Sequence, residues 1–327
     1  MNHSSPEALG QSEAFLNFQE QISQVAPIDR PVLILGERGT GKELAAARIH
    51  YLSKRWQKPL VTLNCAALTP GLIGSELFGH EKGAFTGAQD SRAGRFEQAA
   101  DGTLFLDEMG NIPMEVQEKI LRVVEYGVFE RVGSSRPVQV DVRMVAATNA
   151  DLPAMARAGT FKSDLLDRLS FEVIYVPPLR QRDGDIPLLA EHFAARMAFE
   201  LGWETPPRIT AKALKTLETH HWPGNVRELK NVVERAVYKC SGSRLEEIIF
   251  NPFVSPWQDR LVGEAPSVSS HWTRELETLP LKDAVARLER ERMARALEAA
   301  RFNQKTAAKN LGLSYDQFRG IKKRLGI

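Results

Sequence analysis

A glycine-rich segment directly after a short apolar run is the part of the sequence best suited to chemistry. Positions 36–43 read Gly-Glu-Arg-Gly-Thr-Gly-Lys-Glu and follow the run Val-Leu-Ile-Leu at 32–35. Gly36, Gly39 and Gly41 can take positive φ, so successive backbone N–H groups can turn inward around a phosphate. Lys42 would reach the β- and γ-phosphates, and a helix that begins near it would add the positive end of its dipole. The segment predicts a nucleotide site of the P-loop type.

One position of this segment departs from the P-loop pattern. Position 43 is Glu, where Ser or Thr normally places a hydroxyl on Mg²⁺. We therefore expect other groups to hold the metal. The residues predicted to bind the nucleotide through this segment are Gly36, Glu37, Arg38, Gly39, Thr40, Gly41, Lys42 and Glu43.

A second apolar run, at 103–106, ends in the acidic pair Asp107 and Glu108. At a strand end Asp107 can orient Mg²⁺ and its water, and Glu108 can polarise an attacking water. This arrangement favours hydrolysis over transfer to another substrate. The alternative interpretation is a strand capped by two solvated acids.

Composition sets the broad class. The chain has 327 residues, 43% of them hydrophobic and 26% charged, which allows a large core and two or three domains. Two cysteines, Cys65 and Cys240, are too few for a disulfide framework or a zinc cluster. Because no apolar stretch approaches the ~20 residues that span a bilayer, and the polar start lacks a signal-peptide core, we expect no membrane insertion and a cytoplasmic location.

Charge is unevenly distributed. Residues 281–327 contain twelve Lys or Arg and five Asp or Glu, whereas the formal charge of the whole chain is only +2. A basic end on a mildly acidic body suggests an anionic partner, with nucleic acid as the leading candidate. A charged helix pair without such a partner is the alternative.

Apolar runs at 32–35, 60–63, 103–106, 142–147 and 171–176 alternate with segments of helical spacing. This pattern predicts an α/β fold, with a parallel sheet that carries helices on both faces. After the pair at 177–178 the spacing becomes helical throughout, and 255–278 is rich in Pro, Ser and Gly. The predicted organisation is a flexible N-terminus at 1–6, an α/β subdomain at 7–177, a helical subdomain at 178–254, a linker at 255–278 and a terminal helical domain at 279–327.

The terminal domain has the pattern of a helix-turn-helix. A long helix precedes a short one that Asn303 can cap, and Ser314 with Gln317 resembles a capping box for a last helix. In that helix Phe318, Ile321 and Leu325 would face inward. The predicted DNA contacts are Gln317 and Arg319 on bases, Lys322, Lys323 and Arg324 on phosphates, and Tyr315. An oligomerisation tail is the alternative, and Gly320 either lets the backbone approach DNA or is only tolerated there.

The sequence Gly-Ala-Phe-Thr-Gly-Ala at 83–88, within 76–88, offers no catalytic group. It places Phe85 and Thr86 between small residues, which suits contact with a partner; alone it would indicate a surface turn or a buried hairpin. With the other motifs, it resembles the bacterial enhancer-binding proteins, the AAA+ activators of sigma-54 RNA polymerase. The resemblance covers almost the whole chain.

This resemblance implies an AAA+ P-loop ATPase with a helical lid, followed by a Fis-type helix-turn-helix domain that binds double-stranded enhancer DNA, with ATP and Mg²⁺ as cofactors. By the same resemblance Asn64 holds Glu108 until ATP is sensed, Thr148 and Asn149 form sensor I, and Arg227 forms sensor II. The implied sigma-54 contacts are Gly83, Ala84, Phe85, Thr86, Gly87, Ala88 and, in a second loop, Arg131.

Arg168 resembles the arginine finger that acts on ATP bound by a neighbouring subunit, which implies a ring, a hexamer in the family. A second arginine, often found six residues earlier, is Lys162 here. Lysine lacks the planar fork of arginine, so we expect Lys162 to contribute less to catalysis than Arg168.

Because few residues precede Gly36, we expect no sensing domain of ~100 residues ahead of the ATPase domain, and therefore control in trans. Trp56, flanked by charge, is a candidate contact for a negative regulator, although a Trp packed on its own helix is equally consistent with the sequence.

Two other functions share parts of these patterns. A helicase loader would have no reason to carry the 83–88 loop, and a repressor that only binds nucleotide would not need Glu108 for its output.

Overall fold

The structure is a computed structural model that describes residues 8–85, 88, 90–240, 243–253, 280–300 and 303–325. The chain divides into two compact units, Met1–Phe250 and Asn251–Ile327. The predicted N-terminal segment 1–6 and linker 255–278 lie outside the described residues, so the five domain boundaries stay predictions. Among the helices described, none is long and apolar enough to cross a membrane.

The first unit is built on a five-stranded parallel sheet, which confirms the predicted fold class. The described strands are β1 Val32–Leu35, β2 Leu60–Asn64, β3 Thr103–Asp107, β4 Val128–Glu130, β5 Pro137–Gln139, β6 Arg143–Thr148, β7 Glu172–Tyr175, β8 Arg208–Ile209 and β9 Arg244–Leu245. The order in the sheet is β2-β3-β6-β1-β7, and these five strands follow the predicted apolar runs closely. Short pairs form outside the sheet, β4 with β5 and β8 with β9.

Ten helices are described in the first unit. Seven lie in the α/β subdomain and three in the lid. They are α1 Glu13–Val25, α2 Lys42–Tyr51, α3 Pro70–Phe78, α4 Arg95–Gln98, α5 Met114–Tyr126, α6 Leu152–Arg157, α7 Ser163–Leu169, α8 Asp185–Glu200, α9 Ala211–Thr219 and α10 Asn225–Lys239.

The apolar runs form buried strands because successive side chains enter two different cores. In β1, Leu33 packs with residues of α3, α5 and α7, whereas Val32 and Ile34 pack with α1 and α2. Residues i and i+2 of a strand share a face, so a run that is apolar throughout needs cover on both faces. Because the strands of this sheet are all parallel, the loops that follow their carboxyl ends lie at one edge of the sheet.

Helix α1 was not predicted from the sequence. The signals were present, since Ser12 caps its first turn and Phe15, Phe18 and Ile22 follow at helical spacing into the core. At its other end the buried guanidinium of Arg143 donates to backbone carbonyls, including Ala26 O at 2.6 Å. Because these carbonyl oxygens satisfy the hydrogen-bond donors of the guanidinium, the charged side chain of Arg143 can be buried.

The helical lid has its own core. Trp222 is fully buried there, with its indole N–H donating to the carbonyl of Leu217 at 2.8 Å. Helix α9 begins at Ala211, because the hydroxyl of Thr210 accepts from Ala213 N and caps the first turn.

The second unit contains the described helices α11 Leu281–Ala299, α12 Gln304–Asn310 and α13 Tyr315–Leu325. Asn303 caps α12, and Ser314 and Gln317 exchange the two hydrogen bonds of a capping box. Phe318 and Leu325 are buried and Ile321 is partly buried against them, which confirms the inward face predicted for the last helix.

Phe318→Ala should unfold this unit selectively. Phe318 is fully buried in a core of only a few side chains, and truncating such a phenylalanine costs about 3–5 kcal/mol. We expect calorimetry of the full chain to lose the transition of the terminal unit while the ATPase unit melts at its original temperature. A Phe318→Ala protein with both transitions intact would contradict this packing.

Candidate functional site

The glycine-rich segment forms a turn between β1 and α2, and α2 begins at Lys42 as predicted. Gly39 and Gly41 have φ of +76° and +101°, values that favour glycine. The hydroxyl of Thr40 closes the turn by donating to Glu37 O at 2.9 Å. The first N–H groups of α2 therefore lie at the end of the turn, as a phosphate site requires.

Gly36 departs from the expectation, because it is not among the described glycines with positive φ. Its lack of a side chain serves close packing, since a Cβ there would lie 3.0 Å from Cβ of Val176 and 3.1 Å from Oγ1 of Thr40. Glu43, the departure from the P-loop pattern, is exposed on the first turn of α2.

Lys42 is buried at the centre of this turn. Its Nζ donates to the carbonyl oxygens of Gly36 at 3.0 Å and Glu37 at 3.3 Å. Burial lowers the pKa of Lys42, and the nearby carboxylates of Glu108 and Asp107 partly oppose this shift. The fold therefore brings the P-loop and the acidic pair into one electrostatic site.

Asp107 ends β3 with one oxygen engaged and one free. Asn64 Nδ2 donates to its Oδ2 at 3.3 Å, whereas Oδ1 is buried and has no hydrogen-bond partner within the described part of the chain. A buried carboxylate oxygen without a donor fits a cation, so Asp107 suits the Mg²⁺ that an ATPase of this type implies. In this structure Asn64 pairs with Asp107; the expectation that it holds Glu108 stays a prediction.

Glu108 follows directly in the left-handed region, with φ 55° and ψ 47°. A glutamate in this region stores backbone strain, which structures tolerate mainly where a side chain must be aimed at a site.

The end of β6 lies beside the P-loop. Thr148 is buried, its hydroxyl accepts from Ala150 N at 3.0 Å, and its carbonyl accepts from Gly36 N at 3.3 Å. Asn149 is exposed. A cleft of about 680 Å³ joins the P-loop to this strand end, lined in part by Leu35, Glu37, Asn149, Asp151, Tyr175 and Pro223. Of the predicted sensor I pair, Asn149 is the one with its side chain open to the cleft.

The lid contacts the P-loop directly. Arg227 N donates to Gly39 O at 3.3 Å, and a Cβ on Gly39 would lie 2.3 Å from Gly224 O. Arg227 is exposed beside the turn, where a sensor must stand. Sequence reasoning missed Asn225, which is fully buried and donates to both Glu37 and Arg38; the only signal was its place before Arg227.

Arg168 and Lys162 both pair with acids of α5. Arg168 Nε donates to Glu125 at 2.8 Å, and Lys162 Nζ lies 3.4 Å from Glu118. Arg168 remains 61% exposed, and Lys162 is less so at 32%. Neither side chain has a described contact with the P-loop of its own chain, which is consistent with action on a neighbouring copy.

The loop at 83–88 stands on a short bridge between His80 and Arg92. Gly83 N donates to Ala88 O at 2.9 Å, and Phe85 is 42% exposed with its ring against that of His80. The structure thus places an exposed aromatic at a tight turn. Thr86 and Gly87 lie outside the described residues.

Arg131 fixes the base of this loop. Its guanidinium donates to Glu97 at 2.6 and 2.9 Å and to Glu81 at 3.1 Å. Next to it, Gly133 is packed so closely on Ala84 that a Cβ would lie 2.7 Å from Cβ of Ala84. Because its donors already have partners in the chain, Arg131 is better suited to position the loop than to contact sigma-54; the direct contact stays a prediction.

Trp56 is 55% exposed in the connection between α2 and β2. Its neighbour Arg55 anchors the connection by pairing with Asp29 at 2.6 Å and Asp141 at 2.7 Å. The indole is therefore presented on a fixed segment, which favours the docking interpretation over packing on its own helix.

On the last helix, the predicted DNA contacts are mostly exposed. Lys322 is half-buried, Arg324 donates to Glu289 at 2.6 Å, and the Gln317 side-chain oxygen accepts from Ser314 N. Arg319 has no such partner among the described residues, so its guanidinium is available to a base edge. Tyr315, Gln317, Arg319, Lys323 and Arg324 are exposed.

Comparison with known families assigns each part of this arrangement. Residues 8–175 match the Sigma-54 interaction domain, residues 180–258 the AAA+ ATPase lid domain, and residues 284–320 the Fis family of bacterial regulatory proteins. The chain belongs to the family of sigma-54-dependent transcription activators. It is thus an AAA+ ATPase with a DNA-binding helix-turn-helix domain, and the helicase-loader alternative is excluded.

Individual relatives agree with this assignment. The chain is 55% identical over 320 residues to the Psp operon transcriptional activator of Escherichia coli, covering 97% of both chains. It is 52% identical to the formate hydrogenlyase transcriptional activator FhlA of the same species, over 73% of this chain and 34% of the relative. Crystal structures of NtrX from Brucella abortus in complex with ADP and with ATP each superpose with a TM-score of 0.69, at 35% and 34% identity, covering 99% and 98% of this chain and 71% and 69% of theirs.

Proposed function

We propose that this activator uses ATP hydrolysis to remodel the closed promoter complex of sigma-54 RNA polymerase. The observation that carries the proposal is the position of Phe85, exposed at a tight turn whose base Arg131 and Glu97 tie to the ATPase unit. A change at the ATP site can reach such a tip through packed and hydrogen-bonded segments.

In the proposed reaction, Asp107 would hold the Mg²⁺ that offsets the charge of the phosphates, and Lys42 would reach toward those phosphates from the start of α2. Glu108 accepts a proton from the attacking water. Arg168 of an adjacent copy stabilises the developing charge, so the active form is a ring, with a hexamer as the family precedent.

The target operon is proposed from similarity. Because the Escherichia coli relative is named for the Psp operon and matches nearly end to end, we infer that this chain activates a phage-shock operon in response to envelope stress. The helix-turn-helix domain would bind upstream enhancer DNA in the cytoplasm. Trp56 would dock a negative regulator that resembles phage-shock protein A.

Thr86→Ala and Phe85→Ala should separate hydrolysis from activation. Removing an anchor from the centre of a contact costs binding by roughly tenfold or more, whereas neither residue belongs to the segments that are predicted to bind the phosphates. We expect ATP-dependent open-complex formation by sigma-54 polymerase to fall by at least that factor while ATPase activity is retained.

The matched control for the loop is Phe199→Ala, which removes a phenylalanine that is 83% exposed on the lid. It should form open complexes at the wild-type rate. Full activation by both loop variants would rule out the loop as the sigma-54 contact.

Trp56→Ala should release repression. An exposed tryptophan at the centre of a docking surface typically contributes 2 kcal/mol or more, so we expect the regulator to bind roughly thirtyfold more weakly. The measurement is the ratio of transcription without and with the regulator, which should approach one in the variant. Tyr238→Ala, which removes another aromatic side chain that is 68% exposed, serves as the control. Unchanged repression in Trp56→Ala would place the regulator elsewhere.

A further inference from the structure

Three segments of the ATPase unit meet at one carboxylate of the P-loop. Glu37 accepts from both terminal nitrogens of Arg180, at 2.6 and 2.8 Å, and from Asn225 Nδ2 at 3.0 Å. Arg180 lies in the turn Leu179–Gln181, where the chain passes from the sheet to the lid, and Asn225 is the first residue of α10. The phosphate loop is thereby joined to the start of the lid and to the first turn of α10 within it.

Asn225 uses its whole side chain in this junction. Its Nδ2 also donates to Arg38 O at 3.1 Å, and its Oδ1 accepts from Leu179 N at 2.8 Å. It is fully buried and has φ of 50°, a conformation that asparagine adopts more readily than most residues. One amide therefore fixes the P-loop, the connecting turn and the start of α10 relative to one another.

Arg180 complements this contact with charge. The guanidinium and the carboxylate of Glu37 are each 42% exposed, and their two parallel hydrogen bonds have the paired geometry that arginine forms with carboxylates. Hydrogen bonds from Arg180 first, and then from Asn225, lower the pKa of Glu37 to about 2, so the carboxylate is charged at any working pH.

We propose that Glu37, Arg180 and Asn225 form a latch that transmits the state of the P-loop to the lid. Arg227 stands two residues after Asn225 and touches Gly39 through its backbone, so any shift of the P-loop on binding phosphates moves the start of α10 with it. Arg180 and Asn225 are positioning residues: they set where the lid and its sensor arginine stand. The proposal rests on the ATPase assignment and is independent of the target promoter.

The test uses the full chain with a fluorescent ADP analogue and hydrogen exchange of the P-loop and of residues 225–229. We expect Arg180→Gln to weaken ADP binding about threefold to tenfold, the range for losing a charged hydrogen-bonded pair at a partly exposed site. Protection of 225–229 on ADP addition should be lost in the same variant. Arg180→Lys should restore it only in part, because lysine cannot form the paired contact.

A double-mutant cycle identifies the latch as one unit. The double variant, which carries both Glu37→Gln and Arg180→Gln, should bind ADP no more weakly than the more impaired of the two single variants. Either change alone already breaks the contact between the two side chains. Arg196→Gln is the matched control, since it removes an exposed lid arginine that pairs with Glu200 away from the P-loop.

Independent, additive losses, or ADP-dependent protection of 225–229 that persists in Arg180→Gln, would overturn the proposal. So would ADP binding by Arg180→Gln as tight as in the control. Because Arg180 is partly exposed, folding is not at risk in this variant. Failure of the wild-type chain to bind ADP would instead contradict the ATPase assignment.

Discussion

Glu108→Gln is expected to slow ATP hydrolysis by about two to four orders of magnitude while ATP still binds. Glu108 is held in a left-handed conformation at the end of β3, close enough to Lys42 that its charge acts on the lysine. Glutamine preserves the size of the side chain but cannot accept the proton of the attacking water. The measurement is steady-state phosphate release, with nucleotide affinity determined separately.

Glu200→Gln provides the control, because it removes an exposed carboxylate of the lid that pairs with Arg196. Its hydrolysis rate should equal that of the wild type. A Glu108→Gln protein that hydrolyses ATP within tenfold of the wild type would remove Glu108 from the reaction. The same variant also tests the remaining alternative, a repressor that uses ATP only as a ligand. Such a repressor would keep its transcriptional output in the Glu108→Gln protein.

Arg168→Ala should lower hydrolysis by about a thousandfold or more, the effect expected of an arginine finger. Lys162→Ala should lower it less, because lysine presents a point charge without the planar fork, and Lys162 is the more enclosed of the two. Both rates are measured at a protein concentration that supports assembly. Equal losses in the two variants would contradict the assignment of the finger to Arg168.

Mixing two inactive variants tests whether the finger acts between copies. The Arg168→Ala chain keeps Glu108, and the Glu108→Gln chain keeps Arg168. In a mixed assembly some sites combine an intact Glu108 with a finger from the neighbouring copy, so hydrolysis should recover. If the mixture stays as inactive as its components, the finger acts within its own chain.

The sequence predicted the sheet and the glycine-rich turn well because both depend on local patterns. Unbroken apolar runs require cover on both faces, and the glycine-rich turn requires positive φ at Gly39 and Gly41. The capping box of Ser314 and Gln317 was equally predictable, since its hydrogen bonds join residues three apart.

Features that depend on distant residues were missed or misjudged. The buried Asn225 joins segments that are almost two hundred positions apart in the chain, and no local spacing indicates this. Gly36 can take positive φ but does not; glycine is needed there because Val176 and Thr40 leave no room for a Cβ. Arg131 likewise pairs with residues that are distant in the chain, Glu81 in a loop and Glu97 in α4.

We propose that ATP hydrolysis, and not nucleotide binding alone, drives the sigma-54 promoter complex open. The most direct measurement is open-complex formation by sigma-54 RNA polymerase on its promoter, with this protein and either ATP or a non-hydrolysable analogue. We predict open complexes with ATP and none above background with the analogue or with the Glu108→Gln protein. Open complexes formed at the wild-type level without hydrolysis would show instead that nucleotide binding alone is sufficient.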